Sequence, residues 1–233
     1  MLGRMSTPPD ATTETPPSGA ARRPAERRPQ AERSQESRAR ILEATVALLV
    51  EEGYARTNTL AIQARAGVSR GRLLHQFPSK EELLVAAAHH VSEVRLEETH
   101  RAESLLPSAT DQAGARIDAV IELLWATFRQ SYFWAATELW VAARTEPALA
   151  AVIRPAERRM GRAIWGTMDD LFGPQVVAHP MYPTMRYTLF TSMRGVALTY
   201  TFDQRDPLTE PALKSWKQLV RAVLLNPAPA DLG

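Results

Sequence analysis

The sequence predicts an all-α protein of about nine helices, about four in an N-terminal group and five behind them. Three observations support this. Apolar residues recur at helical spacing almost continuously from Ser34 onward. No segment shows the period-2 alternation of a strand, and no repeat of 20–50 residues is present. Serine, proline and glycine residues punctuate the apolar segments where helices should begin and end. Since apolar residues make up 45% of the 233 residues, a sizeable core is expected.

The N-terminal segment, residues 1–33, is expected to be a disordered basic arm. It is rich in Pro, Ala, Thr and Arg and holds few large apolar side chains, so it cannot bury enough surface to offset the entropy of ordering. Residues 1–80 carry 13 Lys and Arg against 8 Asp and Glu, while residues 81–233 carry 15 against 18. A basic N-terminal part followed by an acidic remainder suggests that the N-terminal part binds a polyanion, although a solvated basic tail explains the charge equally well.

The first two helices follow the arm. The first runs from Ser34 and ends at Gly53 in "EEGY". Thr57 and Thr59 are candidate N-caps for a short second helix. Gly67 ends that helix, because glycine adopts positive φ at low cost and lets the chain turn sharply.

The third and fourth helices have clear boundaries. Ser69 is placed to cap the third helix, and Pro78 ends it. The segment "SKEE" at 79–82 matches a capping box and starts a fourth helix, which is expected to reach about Glu103.

The second and third helices, joined only by "AGV", form a helix-turn-helix pattern. The second helix of this motif enters the DNA major groove, where its first residues meet base edges. Those residues here are Ser69, Arg70, Gly71 and Arg72. Lys80 lies at the start of the fourth helix, where a phosphate is favoured. The alternative is a three-helix domain that binds protein, with both arginines solvated.

The stretch "RARILEATVALLVEEGYARTNTLAIQARAGVSRGRLLHQFPSKEELL" resembles the DNA-binding domain of the TetR family of transcriptional regulators, over about Arg38 to Val85. The resemblance implies a helix-turn-helix head, a helical ligand-binding body and a homodimer. With the residue types, it gives a candidate DNA-binding set: Thr57, Thr59, Ser69, Arg70, Gly71, Arg72, Leu74, His75 and Lys80.

Three members of this set leave their role open. The family usually has a small polar residue where Arg72 stands and a tyrosine where Leu74 stands. Arg72 either replaces a phosphate contact or reads a base, whereas Leu74 touches a thymine methyl or contributes nothing. His75 is either a contact near the DNA backbone or an ordinary surface histidine.

Five further helices are expected behind the head. Their approximate positions are 117–128, 132–143, 147–172, 183–202 and 209–225. The helix "YFWAATELWVAA" is apolar nearly all round, so we expect it to be buried.

A cluster of aromatic and methionine side chains in this region predicts an apolar ligand pocket, although a plain helical core is the alternative for any single residue. Glu138 is the candidate polar group, and its partner is either a cationic ligand or an arginine such as Arg144 or Arg158. The candidate ligand-binding residues are Trp125, Phe128, Trp134, Glu138, Trp140, Arg144, Met168, Tyr187 and Met193.

The last two helices each carry a broad apolar stripe, and Gly195 permits close helix approach. By the resemblance, they pair across a two-fold axis and form a homodimer. The alternative is that both stripes close over the pocket within one chain.

Several classes of function are disfavoured. There is no cysteine, no catalytic constellation and no set of histidines at metal-ligand spacing, so we expect neither an enzyme nor a cofactor nor a metal site. No signal peptide or membrane span is apparent, so a cytoplasmic location is expected.

The expected organisation is an arm at 1–33, a helix-turn-helix DNA-binding domain at 34–84, a ligand-binding and dimerisation domain at 85–226, and a tail at 227–233. The expected function is a repressor released from a palindromic DNA operator by a small, largely apolar effector. The alternatives are an activator or ligand-free regulator, and a helical ligand-binding or enzymatic protein that does not bind DNA.

Overall fold

A computed structural model describes residues 30–108, 110, 112–203 and 205–227 of the chain. Within these residues the protein contains ten α-helices, two short 3-10 helices and no strand, which confirms the predicted all-α class. The α-helices are α1 (Gln30–Arg56), α2 (Thr59–Ala66), α3 (Arg70–Gln76), α4 (Lys80–Arg101), α5 (Ala113–Thr127), α6 (Ser131–Ala143), α7 (Pro147–Phe172), α8 (Pro174–Val177), α9 (Tyr182–Thr199) and α10 (Ala212–Leu224). The 3-10 helices are Ala102–Leu105 and Pro207–Thr209.

The helix that the sequence did not predict is α8. It is a single turn of four residues, too short to show a helical period. The other boundaries agree with the sequence to within a few residues, as helix ends usually do.

The first helix begins earlier than predicted. It begins at Gln30, within the segment expected to be a disordered arm, and the rest of that arm lies outside the described residues. At Gly53 the backbone leaves the helical region, with φ 74° and ψ 175°, and one separate turn follows to Arg56. Gly53 therefore interrupts the helix where the sequence predicted its end, and α1 is kinked there.

Two apolar cores hold the molecule together. The first core is formed by α1, α2, α3 and α4 together with parts of α6 and α7. It includes Ile41, Leu49, Ile62, Leu73, Leu83, Leu139 and Leu149. The second joins α5, the end of α7, α9 and α10, and includes Ile121, Trp125, Phe172, Met193 and Val220. Because α6 and α7 contribute to the first core, the packing is continuous across the boundary expected between residues 84 and 85.

None of the helices in the described residues is long and apolar enough to cross a membrane.

Candidate DNA-contacting surface and ligand cavity

The start of α2 is capped by a residue that the sequence analysis did not name. The side chain of Asn58 accepts hydrogen bonds from the backbone N–H groups of Leu60, at 3.1 Å, and Ala61, at 3.0 Å. Thr57 is fully buried and donates its hydroxyl to the carbonyl of Gly53 at 2.8 Å. The expectation that Thr57 contacts DNA through its side chain is therefore wrong: it fixes the chain between α1 and α2. Both N-cap assignments are corrected as well, because Thr59 is the first residue of α2.

The turn between α2 and α3 has the expected form. Gly67 adopts the left-handed conformation, with φ 64° and ψ 41°, and closes α2 through its N–H bond to the carbonyl of Gln63. Ser69 caps α3 by accepting a hydrogen bond from the backbone N–H of Arg72 at 3.3 Å. Leu73 and Phe77 are buried beneath α3. This packing fixes the orientation of the short helix on the first core.

The opposite face of α3 is open to solvent. Its exposed residues are Arg70, Gly71, Arg72, Leu74 and His75. A side chain at Gly71 would meet nothing within 4 Å, so the glycine leaves a flat surface between two arginines. Neither guanidinium forms an ion pair with a residue that the structure describes. Both are free to meet an external anion or base.

The start of α4 lies next to this face. Ser79 caps the helix by accepting a hydrogen bond from the N–H of Glu82 at 3.1 Å. The Lys80 ammonium lies 4.5 Å from the centre of the Tyr54 ring, a cation–π contact that restrains it. A positive charge is thus held beside a helix N-terminus, which suits a phosphate group.

A cavity of about 830 Å³, including its mouth, lies between α4, α5, α6, α7 and α9. Its lining is mostly apolar, as in small-molecule sites. Of the residues predicted to bind a ligand, Phe128, Trp140 and Met168 line this cavity.

The other predicted residues lie elsewhere. Trp125 belongs to the second core and donates its indole N–H to the carbonyl of Pro207 at 2.7 Å. Trp134 packs at the edge of the same core, and Met193 is buried within it, but neither lines the cavity. Tyr187 is 62% exposed, and Arg144 is exposed at the end of α6.

Glu138 is not a buried ligand contact. It is exposed on α6, and its Oε2 atom accepts the backbone N–H of Tyr54 at 3.1 Å. The apolar sequence of α6 predicts burial all round, whereas this helix keeps an exposed edge that includes Val141, 64% exposed. Glu138 therefore links α6 to the kink of α1.

The histidine and the two charged residues that line the cavity are His89, Glu157 and Arg194, and the sequence selected none of them. His89 Nε2 lies 3.3 Å from Glu157 Oε1. Burial tends to raise the pKa of the Glu157 carboxyl, but hydrogen bonds from His89 and Trp140 and the charges of His89 and Arg194 outweigh it. The pKa of Glu157 consequently lies below its ordinary value. One feature of the sequence could have marked Arg194 as a candidate site residue: it is an isolated charge within the apolar segment "TSMRGVAL".

These features define a class of protein: a helix-turn-helix transcriptional regulator with a helical body. The model of the family described as "Bacterial regulatory proteins, tetR family" matches residues 41–87. Over these residues the chain is therefore similar to transcriptional regulators of the TetR family.

Relatives that match most of the chain are likewise described as helix-turn-helix transcriptional regulators. The chain is 28% identical over 172 residues to the HTH-type transcriptional regulator CymR of Pseudomonas putida, covering 74% of this chain and 83% of CymR. It is 25% identical over 199 residues to an uncharacterized HTH-type transcriptional regulator of Mycobacterium tuberculosis, covering 85% and 97% of the two chains.

The fold matches solved structures at low sequence identity. GusR of Salmonella enterica has a TM-score of 0.57 at 18% identity, covering 82% of this chain and 96% of GusR. The multidrug binding protein EbrR in complex with ethidium has a TM-score of 0.56 at 22% identity, covering 79% and 98%. A regulator from Saccharomonospora viridis in complex with choline has a TM-score of 0.53 at 16% identity, covering 82% and 97%.

Proposed function

We propose that this regulator is a homodimeric repressor that binds a palindromic operator and leaves it when a small effector enters the cavity. The observation that carries the proposal is the open face of α3, on which two arginines flank a glycine and form no ion pair with any residue that the structure describes. Such a repressor acts on the bacterial chromosome, which corresponds to a cytoplasmic location.

The DNA contacts follow from positions on this face. Ser69, Arg70 and Arg72 stand at the start of α3, and an arginine fork bonds the O6 and N7 atoms of guanine. The remaining members of the proposed interface stand to either side and would contact phosphates or a thymine methyl: Thr59, Leu74, His75 and Lys80.

A homodimer is supported by apolar side chains left exposed on and after the last two long helices. Leu198 and Phe202 lie at the end of α9 and just beyond it, and Leu219 and Leu225 lie on and after α10. A second copy of the chain would cover them in a symmetric interface and would present two α3 helices to successive major grooves.

The fourth helix is the proposed link between effector and DNA. Ala88, Ser92 and Leu96 of α4 line the cavity, and the same helix starts directly after α3. An effector that favours one position of α4 would change the spacing of the two α3 helices. The coupling free energy needed is about 1–3 kcal/mol.

The experiment has two stages. Genomic fragments that the purified protein retains are sequenced to find the operator, and binding is then measured by gel shift over a range of salt concentrations. We expect a palindromic site and a steep loss of affinity with salt. Binding without sequence preference, or none at low salt, would contradict the proposal.

A further inference from the structure

We infer that the cavity takes a small carboxylic acid with a bulky apolar body, and that Arg194 holds its carboxylate. The inference rests on the proposed ligand-responsive function and adds the chemical class of the ligand.

The position of Arg194 is the first observation. Its side chain extends from α9 to the cavity wall, where the guanidinium lies 5.1 Å from the centre of the Trp140 ring and 4.9 Å from that of Phe190. Both rings also line the cavity. The aromatic contacts orient the planar guanidinium without using any of its hydrogen-bond donors.

The second observation is that Arg194 lacks an acceptor. Its Nε atom is buried and has no hydrogen-bond partner among the residues that the structure describes. Burial lowers the pKa of the guanidinium, and the opposing effect of Glu157 on it is coulombic rather than a hydrogen bond. An arginine nevertheless stays protonated in proteins, so a half-buried charge is left with one buried donor, Nε, to satisfy. Because an unmade hydrogen bond of this kind is costly, a ligand that brings an acceptor is favoured.

The neighbouring acid does not offer an equivalent site for a cation. His89 Nε2 lies 3.3 Å from Glu157 Oε1, and the side chains of His89 and Trp140 both lower the pKa of this carboxyl. Glu157 thus has donors close by within the protein, whereas Nε of Arg194 has no partner among the described residues, so a ligand carboxylate would supply the missing acceptor through a charge-assisted hydrogen bond.

The remaining walls define the rest of the ligand. They include Leu124, Phe133, Met160 and Ile164. This apolar lining suits a ring system or a medium-length alkyl chain.

The test uses three acids as probes: 2-naphthoic, 4-phenylbutanoic and octanoic acid, each with its matching primary amide and amine. Isothermal titration calorimetry of the full chain at about pH 7 keeps the acids ionised. We expect at least one acid to bind about tenfold more tightly than its amide, a difference that one charge-assisted bond supplies.

Three variants assign the effect to Arg194. Arg194→Met should abolish the preference for acid over amide, and Arg194→Lys should keep part of it. Glu157→Gln is the matched control: it removes a neighbouring charge and should leave the acid preferred. The melting temperature of each variant is measured as a folding control, because Arg194→Met also removes the contacts of the guanidinium with the Trp140 and Phe190 rings.

Four results would overturn the inference: tighter binding of the amines, equal binding of acids and amides, an unchanged preference in Arg194→Met, or no binding of any acid up to about 1 mM. A gel shift on the operator, run with the same probes, separates the two proposals. If the acids bind as expected but the protein stays on the operator, the proposed switch is refuted. If uncharged probes release the protein from the operator, and do so equally in the Arg194 variants, only the proposed ligand class is refuted.

Discussion

Replacing Gly53 with alanine should lower the free energy of unfolding by about 1–4 kcal/mol. The backbone there has φ 74° and ψ 175°, a region that side chains other than glycine rarely adopt, and this strain accounts for about 1–3 kcal/mol. The new Cβ would also stand 3.1 Å from Oε2 of Glu138. The carboxylate must then shift by a few tenths of an ångström, which weakens its hydrogen bond to the N–H of Tyr54 at a further cost of up to about 1 kcal/mol for this exposed group.

A double-mutant cycle separates the two contributions. Gly53→Ala, Glu138→Ala and the double variant are unfolded with urea at one fixed protein concentration, and helix content is followed by circular dichroism. In the Glu138→Ala background, Gly53→Ala should cost up to about 1 kcal/mol less than it does alone. Gly67→Ala is the control, since Gly67 also has positive φ, 64°, but no neighbouring atom within 4 Å.

Two results would refute this reasoning. A cost for Gly53→Ala below about 0.5 kcal/mol, the range of ordinary surface changes, would mean that the kink is not strained. An equal cost in both backgrounds would mean that Glu138 does not contribute to it.

Three further predictions concern the DNA-binding head and the cavity. Arg70→Ala should cost about 1–3 kcal/mol of operator affinity and relax base preference at one position, whereas Lys80→Ala should weaken all sequences about equally; gel shifts on matched and substituted operators measure both. Asn58→Ala should cost about 1 kcal/mol in urea unfolding through loss of the α2 cap, and an effect as large from Thr59→Ala would argue against that assignment. The pKa of Glu157 in the folded protein lies below its ordinary value of 4.5. The ionised carboxylate therefore stabilises the fold above pH 4.5, and this stabilisation is lost as the pH falls through the folded-state pKa. Glu157→Gln should therefore flatten the stability curve below pH 4.5, and an unchanged curve from acid titration of unfolding would contradict this.

The sequence by itself determined the local features of the head. The left-handed Gly67, the caps at Ser69 and Ser79 and the apolar underside of α3 all depend on residues within a few positions of one another. Turn and capping preferences act over such short distances, so residues close together in the sequence are enough to predict these features.

Only the tertiary structure decided which side chains meet in the body of the protein. Glu138 and Arg194 are both isolated charges within apolar helices, and their sequence patterns are alike. One faces the kink of α1 and the other faces the cavity, because rotation and crossing of packed helices determine which arc of each helix is covered. His89 and Glu157 are 3.3 Å apart in space but lie on different helices, α4 and α7, and no periodicity within either helix encodes that distance.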